Sequence, residues 1–390
     1  MARNILKRSC CIINTPIRQN FYFSTKFLPK DMKAWLLHKF DKEVQIHMPK
    51  LEQIKLPTSL GTNEILVQVK AASLNPIDVK MTQGFGSVLF KGLRKLNRST
   101  LPEFPVILGR DFSGIVVKTG SHVTRLKEGD EVWGTPAVWK QGSFAEYCLV
   151  GQDEIALKPK SLSYVEAVSF PYVYLTMWAA LCNVCGLKQE NAKGKRIFIV
   201  GGSGGVGNIG IQMMKEWGAH VTTSCSTDAI DLVKKLGADD VIDYKTEDLV
   251  KRLKNEPRYD VILDSVGTNL EYFKSGSKRS CNKTSKYVTL MPPLLDIVDE
   301  SGLALGTLAV VNTFLRKAVT LRFQSNLDYH WGFFRPNSNA LNYLNELVTK
   351  GKVVPVIDSV FPFHSLPEAF EKMNLGHLRG KIVVDYESLR

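Results

Sequence analysis

Lys195-Arg-Ile-Phe-Ile-Val-Gly-Gly-Ser-Gly-Gly-Val-Gly207 decides the reading of this chain. Lys195 to Val200 is an apolar, partly β-branched run that ends in a glycine cluster, the pattern of a short buried strand. Gly202-Ser-Gly-Gly-Val-Gly207 fits G-x-G-x-x-G, with Gly202, Gly204 and Gly207 in the glycine slots. Glycines there permit a tight turn, let backbone N–H groups approach a pyrophosphate, and let the next helix pack closely on the strand. Ile209, Ile211, Met213 and Met214 then give an apolar helical face up to Trp217-Gly218, where a glycine stops the helix. A second strand, Ala219 to Cys225, follows at βαβ spacing, and the whole unit predicts dinucleotide binding.

The 390 residues suffice for two domains with cores of their own. An apolar content of 44% and a charged content of 23% are ordinary for a globular enzyme. No run approaches the roughly 18 uninterrupted apolar residues of a membrane-spanning helix. The net charge of +13 raises nucleic acid as a partner. Its cations are spread along the chain, though, with concentrations at the N-terminus and at Lys91 to Arg98. No zinc-finger spacing, basic zipper helix or RNA-reading aromatic motif accompanies them, so nucleic acid is not expected. The seven cysteines form no paired framework, which suits a reducing compartment. Residues 1–30 hold Arg3, Lys7, Arg8, Arg18, Lys26 and Lys30, with no acid before Asp31. Interspersed with Ser, Thr and apolar residues, that is the composition of a mitochondrial transit peptide, and a mitochondrial, matrix location is expected.

Residues 31–160 are strand-rich and glycine-punctuated. Lys33 to Leu37, Glu64 to Lys70, Val106 to Gly120 and Leu126 to Trp133 read as strands of a partly open β-barrel. Ser161 to Cys182 reads as helix. Asp240 to Tyr244, Tyr259 to Asp264 and Lys286 to Leu290 read as buried parallel strands, so residues 161–325 form a doubly wound α/β domain. Residues 326–390 hold one helix, Ala340 to Lys350, then Pro355 to Phe361 and Lys381 to Val384, strands placed back on the first domain. Phe85 to Leu101 reads as a basic, apolar loop: a lid, a membrane-surface contact or a partner site.

Ala72-Ser-Leu-Asn-Pro-Ile-Asp78, Gly109-Arg-Asp-Phe-Ser-Gly114, Gly142-Ser-Phe-Ala-Glu-Tyr147 and the glycine stretch resemble the landmarks of the quinone-oxidoreductase branch of the medium-chain dehydrogenase/reductase superfamily. Trp331-Gly-Phe-Phe334, Phe361-Pro-Phe363 and Gly376-His-Leu-Arg-Gly-Lys381 resemble a mitochondrial subgroup of that branch. The resemblance implies a GroES-like barrel plus a Rossmann domain. Zinc relatives carry a Cys at Asn75 and Gly-His-Glu at Gly109-Arg110-Asp111, and this chain lacks their four-cysteine lobe. Cys182-Asn-Val-Cys185 and Cys148 read as buried thiols, so no metal site is expected.

The second strand of the dinucleotide unit, His220-Val-Thr-Thr-Ser-Cys-Ser226, ends in small hydroxyl residues rather than the acid that holds an NAD ribose. Ser224 and Ser226 can donate to a 2′-phosphate, and Tyr244 resembles the tyrosine lining that pocket, so NADPH is the expected cofactor. Against this stand Asp228, near the position of an NAD-type acid, and Ile230, where the branch commonly has lysine. A cation must then come from Lys234, Lys245 or the His377-Leu-Arg379 turn. By resemblance, Ser203, Gly205 and Val206 lie at the pyrophosphate. Leu290, Gly332, Phe334, His377, Leu378 and Arg379 contact the cofactor. Thr176 lies near the nicotinamide amide or bonds a helix carbonyl; Asn75 bonds substrate or ribose, or sets the turn before Pro76.

No general acid stands out. Enoyl-thioester reductases of the superfamily carry a tyrosine where this chain has Phe85, which cannot donate a proton. The expected activity is hydride transfer from NADPH to a quinone or quinone-like conjugated carbonyl, linked by the resemblance to ubiquinone biosynthesis. Two rivals are a 2-enoyl or conjugated-ketone reductase, and an NADPH-binding interaction protein with little turnover. Implied partners are a small-molecule quinone, a peripheral membrane or reticulon-type protein contact, and a second copy of the chain.

Overall fold

The computed structural model describes residues 28–41, 47–97, 102–255, 257–268 and 281–389. Most of the expected leader, residues 1–27, lies outside the described residues. Three sheets organise the chain, two in the first domain and one in the second.

The first domain is a barrel whose strand pairs are antiparallel except β15–β16, which is parallel. Its strands are β1 (Asp31–Leu37), β2 (Lys50–Lys55), β3 (Glu64–Leu74), β4 (Val106–Ile107), β5 (Asp111–Thr119), β6 (Glu131–Gly134), β7 (Tyr147–Gly151) and β8 (Ile155–Leu157). Two more, β15 (Ile357–Pro362) and β16 (Lys381–Asp385), return from the end of the chain. The larger sheet runs β15-β16-β3-β5-β6-β8, with β7 also on β3, and a smaller sheet runs β2-β1-β4. Strand faces pointing inward supply Ile65, Val67, Phe112, Val150 and Ile382, all fully buried. Helices α1 (Pro76–Thr82) and α2 (Ser87–Leu96) follow β3.

The nucleotide domain is a six-stranded parallel sheet in the order β11-β10-β9-β12-β13-β14, built from β9 (Arg196–Val200), β10 (His220–Cys225), β11 (Asp240–Asp243), β12 (Tyr259–Asp264), β13 (Cys281–Thr289) and β14 (Leu327–Trp331). Helices cover both faces, which is why β9 is an apolar run rather than an alternating one. Ile197 and Ile199 enter one core, whereas Phe198 and Val200 enter the other. The strand order reverses between β9 and β12, and ligands of such sheets bind beyond the carboxyl ends of the strands at that switch point.

Several expectations need correction. The nucleotide domain does not end at residue 325. β14 pairs in parallel with β13, and α6 (Ser338–Thr349) buries Ala340, Leu341 and Leu344 in the nucleotide-domain core. The return to the barrel begins only near β15, so residues 326–390 are not a single barrel segment. Ser161 to Cys182 is helical, as read, but in pieces. Pro171, which lacks an N–H, opens α3 (Pro171–Trp178), and a π-type turn, Ala179–Val184, follows it. The presumed loop from Phe85 is largely α2. Its N-terminus is capped from the other domain, since Asp299 accepts from the N–H groups of Gly86 at 2.5 Å and Val88 at 3.0 Å. Asp299 belongs to α5 (Leu294–Ser325), a long helix that bends at Gly302 (φ 73°) and that the sequence reading did not single out. The apolar stretch Tyr164–Val184 is long enough to cross a membrane by composition alone, but it is mostly buried between the domains.

Candidate functional site

At the switch point the glycine turn between β9 and α4 (Gly205–Glu216) is shaped by close contact. Gly201 has φ 84°, a conformation that favours glycine. A Cβ at Gly202 would lie 2.1 Å from Thr223 Oγ1, and one at Gly207 would lie 2.1 Å from the Gly201 carbonyl. Helix and strand therefore meet at backbone distance. Gly204 is open, with only the Gly201 carbonyl at 3.6 Å from a Cβ position. The start of α4 thus borders open space at Gly204, the setting in which a helix N-terminus can receive an anion.

The segment before β16 runs across this turn. Gly380 N–H donates to the Ser203 carbonyl at 3.0 Å, and Gly204 bridges Gly380. His377 adopts a left-handed conformation (φ 54°), Leu378 packs on the barrel core, and the Arg379 guanidinium pairs with Asp228. Asp228 also accepts from Ser226 Oγ, and these two donors hold its carboxyl below the usual range. Ser224 is buried, and its hydroxyl accepts from Gly201 N–H at 3.3 Å, so it holds the glycine turn. Tyr244 is half exposed, with Lys245 Nζ 5.6 Å from its ring centroid. Of the three candidate sources of a cation, two therefore lie here: Arg379 beside Asp228, and Lys245 beside Tyr244.

Beyond β12 the loop is organised by buried Asp264. It accepts from the N–H groups of Val266, Gly267 and Thr268, and from Tyr287 Oη at 2.6 Å. Leu290 and Gly332 are packed together, for a Cβ on Gly332 would meet Leu290 Cδ2 at 2.8 Å. Val206 is partly buried on the α4 side of the core. Phe334 stacks on Tyr172, with centroids 4.7 Å apart and planes 20° from parallel. This joins the end of β14 to the start of α3. Thr176 spends its proton on the Tyr172 carbonyl at 2.7 Å, the structural alternative.

Facing the turn is a polar knot that the sequence reading did not assemble. Fully buried Asp111 accepts from Ser73 Oγ and Asn75 Nδ2, each at 2.7 Å, from Tyr172 N–H at 2.6 Å, and from Lys381 Nζ at 3.2 Å. Lys381 Nζ also donates to Asn75 Oδ1 at 2.5 Å and to the Leu74 carbonyl at 2.7 Å. Both ends of the Asn75 amide are therefore fixed, and Asn75 also caps α1. A Cβ on Gly205 would approach Lys381 Cδ to 3.1 Å, so the knot and the glycine turn share one wall. Burial lowers the Lys381 pKa, with Asp111 opposing. Alongside, Asp78 accepts from Asn75 N–H at 2.9 Å and Gly109 N–H at 3.0 Å. Burial pushes its carboxyl up to about 6, with Arg110 opposing. Arg110 is itself fully buried and donates to the carbonyls of Ala137, Lys140 and Ile107. Burial, then Asp78, raises the Tyr172 hydroxyl well above its ordinary value.

Among the described residues no group of three His, Cys, Asp or Glu side chains is arranged to hold a metal. Burial pushes the Cys185 thiol up to about 12 and also raises those of Cys148 and Cys182, as expected of small buried hydrophobes.

Residues 61–160 match the alcohol dehydrogenase GroES-like domain and residues 236–384 match a zinc-binding dehydrogenase domain. The mitochondrial NAD(P)H oxidoreductase RTN4IP1 of Danio rerio is 44% identical over 355 residues, covering 90% of this chain and 91% of that protein. Its Homo sapiens counterpart is 43% identical over 356 residues, covering 91% and 89%. The quinone oxidoreductase structure from Coxiella burnetii superposes with a TM-score of 0.72 at 29% identity, covering 92% of this chain and 100% of that one. The chain therefore belongs to the RTN4IP1 family of NAD(P)H oxidoreductases, within the medium-chain dehydrogenase/reductase superfamily.

Proposed function

We propose that this protein is a mitochondrial, zinc-independent oxidoreductase that uses NADPH to reduce a quinone or quinone-like conjugated carbonyl, with ubiquinone biosynthesis as its setting. The observation that carries the reading is the shared wall of the glycine turn and the Asn75–Asp111–Lys381 knot, flanked by the Tyr172–Phe334 stack. A flat conjugated ring fits beside stacked aromatics, and the knot fixes the polar edge against which it is oriented.

The cofactor supplies the hydride, and the acceptor takes that hydride plus one proton. Ser203, Gly205 and Val206 would hold the pyrophosphate at the start of α4. Ser226, Tyr244, Lys245 and Arg379 would hold the 2′-phosphate, with Arg379 also paired to Asp228. Leu290, Gly332 and Phe334 would line the nicotinamide, and the His377–Leu378 turn would border the cofactor beside the glycine turn. No side chain needs to supply the proton. Tyr172, whose hydroxyl is raised in pKa, is a poor acid, and water suffices for a quinone. Zinc does not fit the donor set, because the ammonium of Lys381 bonds both Asn75 and Asp111 and the buried Arg110 guanidinium lies near Asp78 and Tyr172. A divalent ion there would face two buried cations.

The test is thermal stabilisation of the full chain by NADPH and by NADH, followed by NADPH oxidation with quinones and with enoyl thioesters. Expected are a larger shift with NADPH and turnover of quinones. Equal shifts would mean Asp228 holds a ribose hydroxyl and the cofactor choice is wrong. Faster turnover of enoyl thioesters would favour the conjugated-ketone reading. NADPH binding with no acceptor reduced would favour an interaction protein of reticulon-type partners.

A further inference from the structure

Ser226 Oγ and the Arg379 guanidinium, both assigned above to the 2′-phosphate, meet on one carboxylate. Asp228 Oδ1 accepts from the first and Asp228 Oδ2 from the second. The two donors come from distant parts of the chain. Ser226 directly follows β10, whereas Arg379 lies two residues before β16, in the segment that returns to the barrel. Both charged side chains are open to solvent, Asp228 by 62% and Arg379 by 46%, so a ligand can reach the contact.

The surroundings fix both groups without relying on that contact. Thr227 Oγ1, between Ser226 and Asp228, donates to Asp243 Oδ2 at 2.6 Å. Asp243 is buried at the end of β11 and also accepts from the Lys245 N–H at 2.9 Å. The turn bearing Asp228 is thereby tied beside Tyr244 and Lys245. Arg379 is held by its backbone, for its N–H donates to Asp358 Oδ1 at 3.0 Å and the next N–H, of Gly380, donates to the Ser203 carbonyl. Its guanidinium can change partners while the backbone stays in place. Asp358 already pairs with Lys372 at 2.6 Å, so Asp228 is the carboxylate that the guanidinium meets.

A carboxylate and a phosphate monoester make the same demand on such donors, since both accept charge-assisted hydrogen bonds from a guanidinium. The monoester carries the larger charge, about −1.5 to −2 near pH 7, and so wins Arg379. It must first displace the carboxylate, however, and it is repelled by it afterwards. We infer that Asp228 is a built-in competitor for the 2′-phosphate, holding Ser226 Oγ and Arg379 until the phosphate takes them, so that NADPH binds less tightly than it would to the same site without this acid. NADH has no 2′-phosphate and leaves the pair as it is. The inference rests on the assignment of Ser226 and Arg379 to the phosphate.

The test is calorimetric titration of the full chain and of Asp228→Asn with NADPH, NADH and 2′-AMP, a probe that carries the phosphate without the nicotinamide. Asp228→Asn should tighten NADPH and 2′-AMP about fivefold, the upper range for an exposed ion pair, and leave NADH within about twofold. Asp228→Ala, which offers Arg379 no acceptor, should do the same and covers the case of an asparagine that keeps the native bonds. In an Arg379→Ala background the gain from Asp228→Asn should shrink from about fivefold to about twofold, because the two residues act on the phosphate together. Unchanged or weaker NADPH binding by both Asp228 variants would overturn the inference, since Asp228 would then not compete, or would aim Arg379 at the phosphate. Weaker NADH binding would overturn it as well, as the mark of an acid on the ribose hydroxyls. So would an undiminished gain in the Arg379→Ala background, which plain repulsion would explain. A native chain that binds NADH as tightly as NADPH would refute the cofactor assignment itself, and the inference with it.

Discussion

Replacing Lys381 by methionine removes the one ammonium in the polar knot while keeping a side chain of similar reach. The native group donates to the Leu74 carbonyl, Asn75 Oδ1 and Asp111 Oδ2. Lys381→Met leaves Asp111 as a buried carboxylate without its cation and Asn75 Oδ1 without its donor. Removing one partner of a buried pair costs about 3–5 kcal/mol. Ser73, Asn75 and the Tyr172 N–H still donate to Asp111, so the low end, about 3 kcal/mol, is expected. That lowers the melting temperature by about 6–12 °C for a domain of this size. Thermal unfolding measures the deficit, and kcat with a quinone should fall because Asn75 Oδ1 loses the donor that holds it. A shift below about 2 °C would refute the claim that Lys381 compensates Asp111.

Asp78 gives a pH test. Its folded pKa of about 6 exceeds the ordinary 3.8, so its contribution is fully present below 3.8 and lost as pH rises through about 6. The difference corresponds to about 3 kcal/mol, and Asp78→Asn should remove this slope from the stability curve measured by denaturant. Tyr172→Phe keeps the stack on Phe334 and should leave turnover within about tenfold; a larger loss would make Tyr172 the proton donor after all. Asp299→Ala uncaps α2 and should cost about 1 kcal/mol, with faster proteolysis between residues 85 and 97. Arg379→Ala should weaken NADPH at least fivefold more than NADH in a binding titration, because only the 2′-phosphate needs a cation to offset Asp228.

The barrel and the parallel sheet were legible because their strands obey local rules, an alternating pattern in β3 and continuous apolar runs in β9 and β12. α5 was harder to read. With apolar residues on both faces it has no 3.6-residue contrast, and Gly302 and Gly306 resemble breaks. The glycine turn was readable because its spacing is local. The knot was not, since Asn75, Asp111 and Lys381 lie far apart in sequence and meet only when β16 closes on β3. The one local hint was a lysine opening the apolar run Ile382-Val-Val384, a place where a long cation needs a buried partner. Asp228 was recognised as a rival acid, but its pairing with Arg379 joins residues 151 positions apart.

β16, the last strand, fills the gap between β15 and β3, with Val383 opposite Ser73. During synthesis β3 therefore has no such neighbour until the entire nucleotide domain has emerged. The nucleotide domain can fold first, while the barrel waits with an open edge and Asp111 lacks its cation. Limited proteolysis of chains stalled before residue 381 should find the former protected and the latter cut. An unfinished chain would thus be able to hold the cofactor yet have no formed place to present it to an acceptor, which keeps a half-made enzyme from delivering hydride at random.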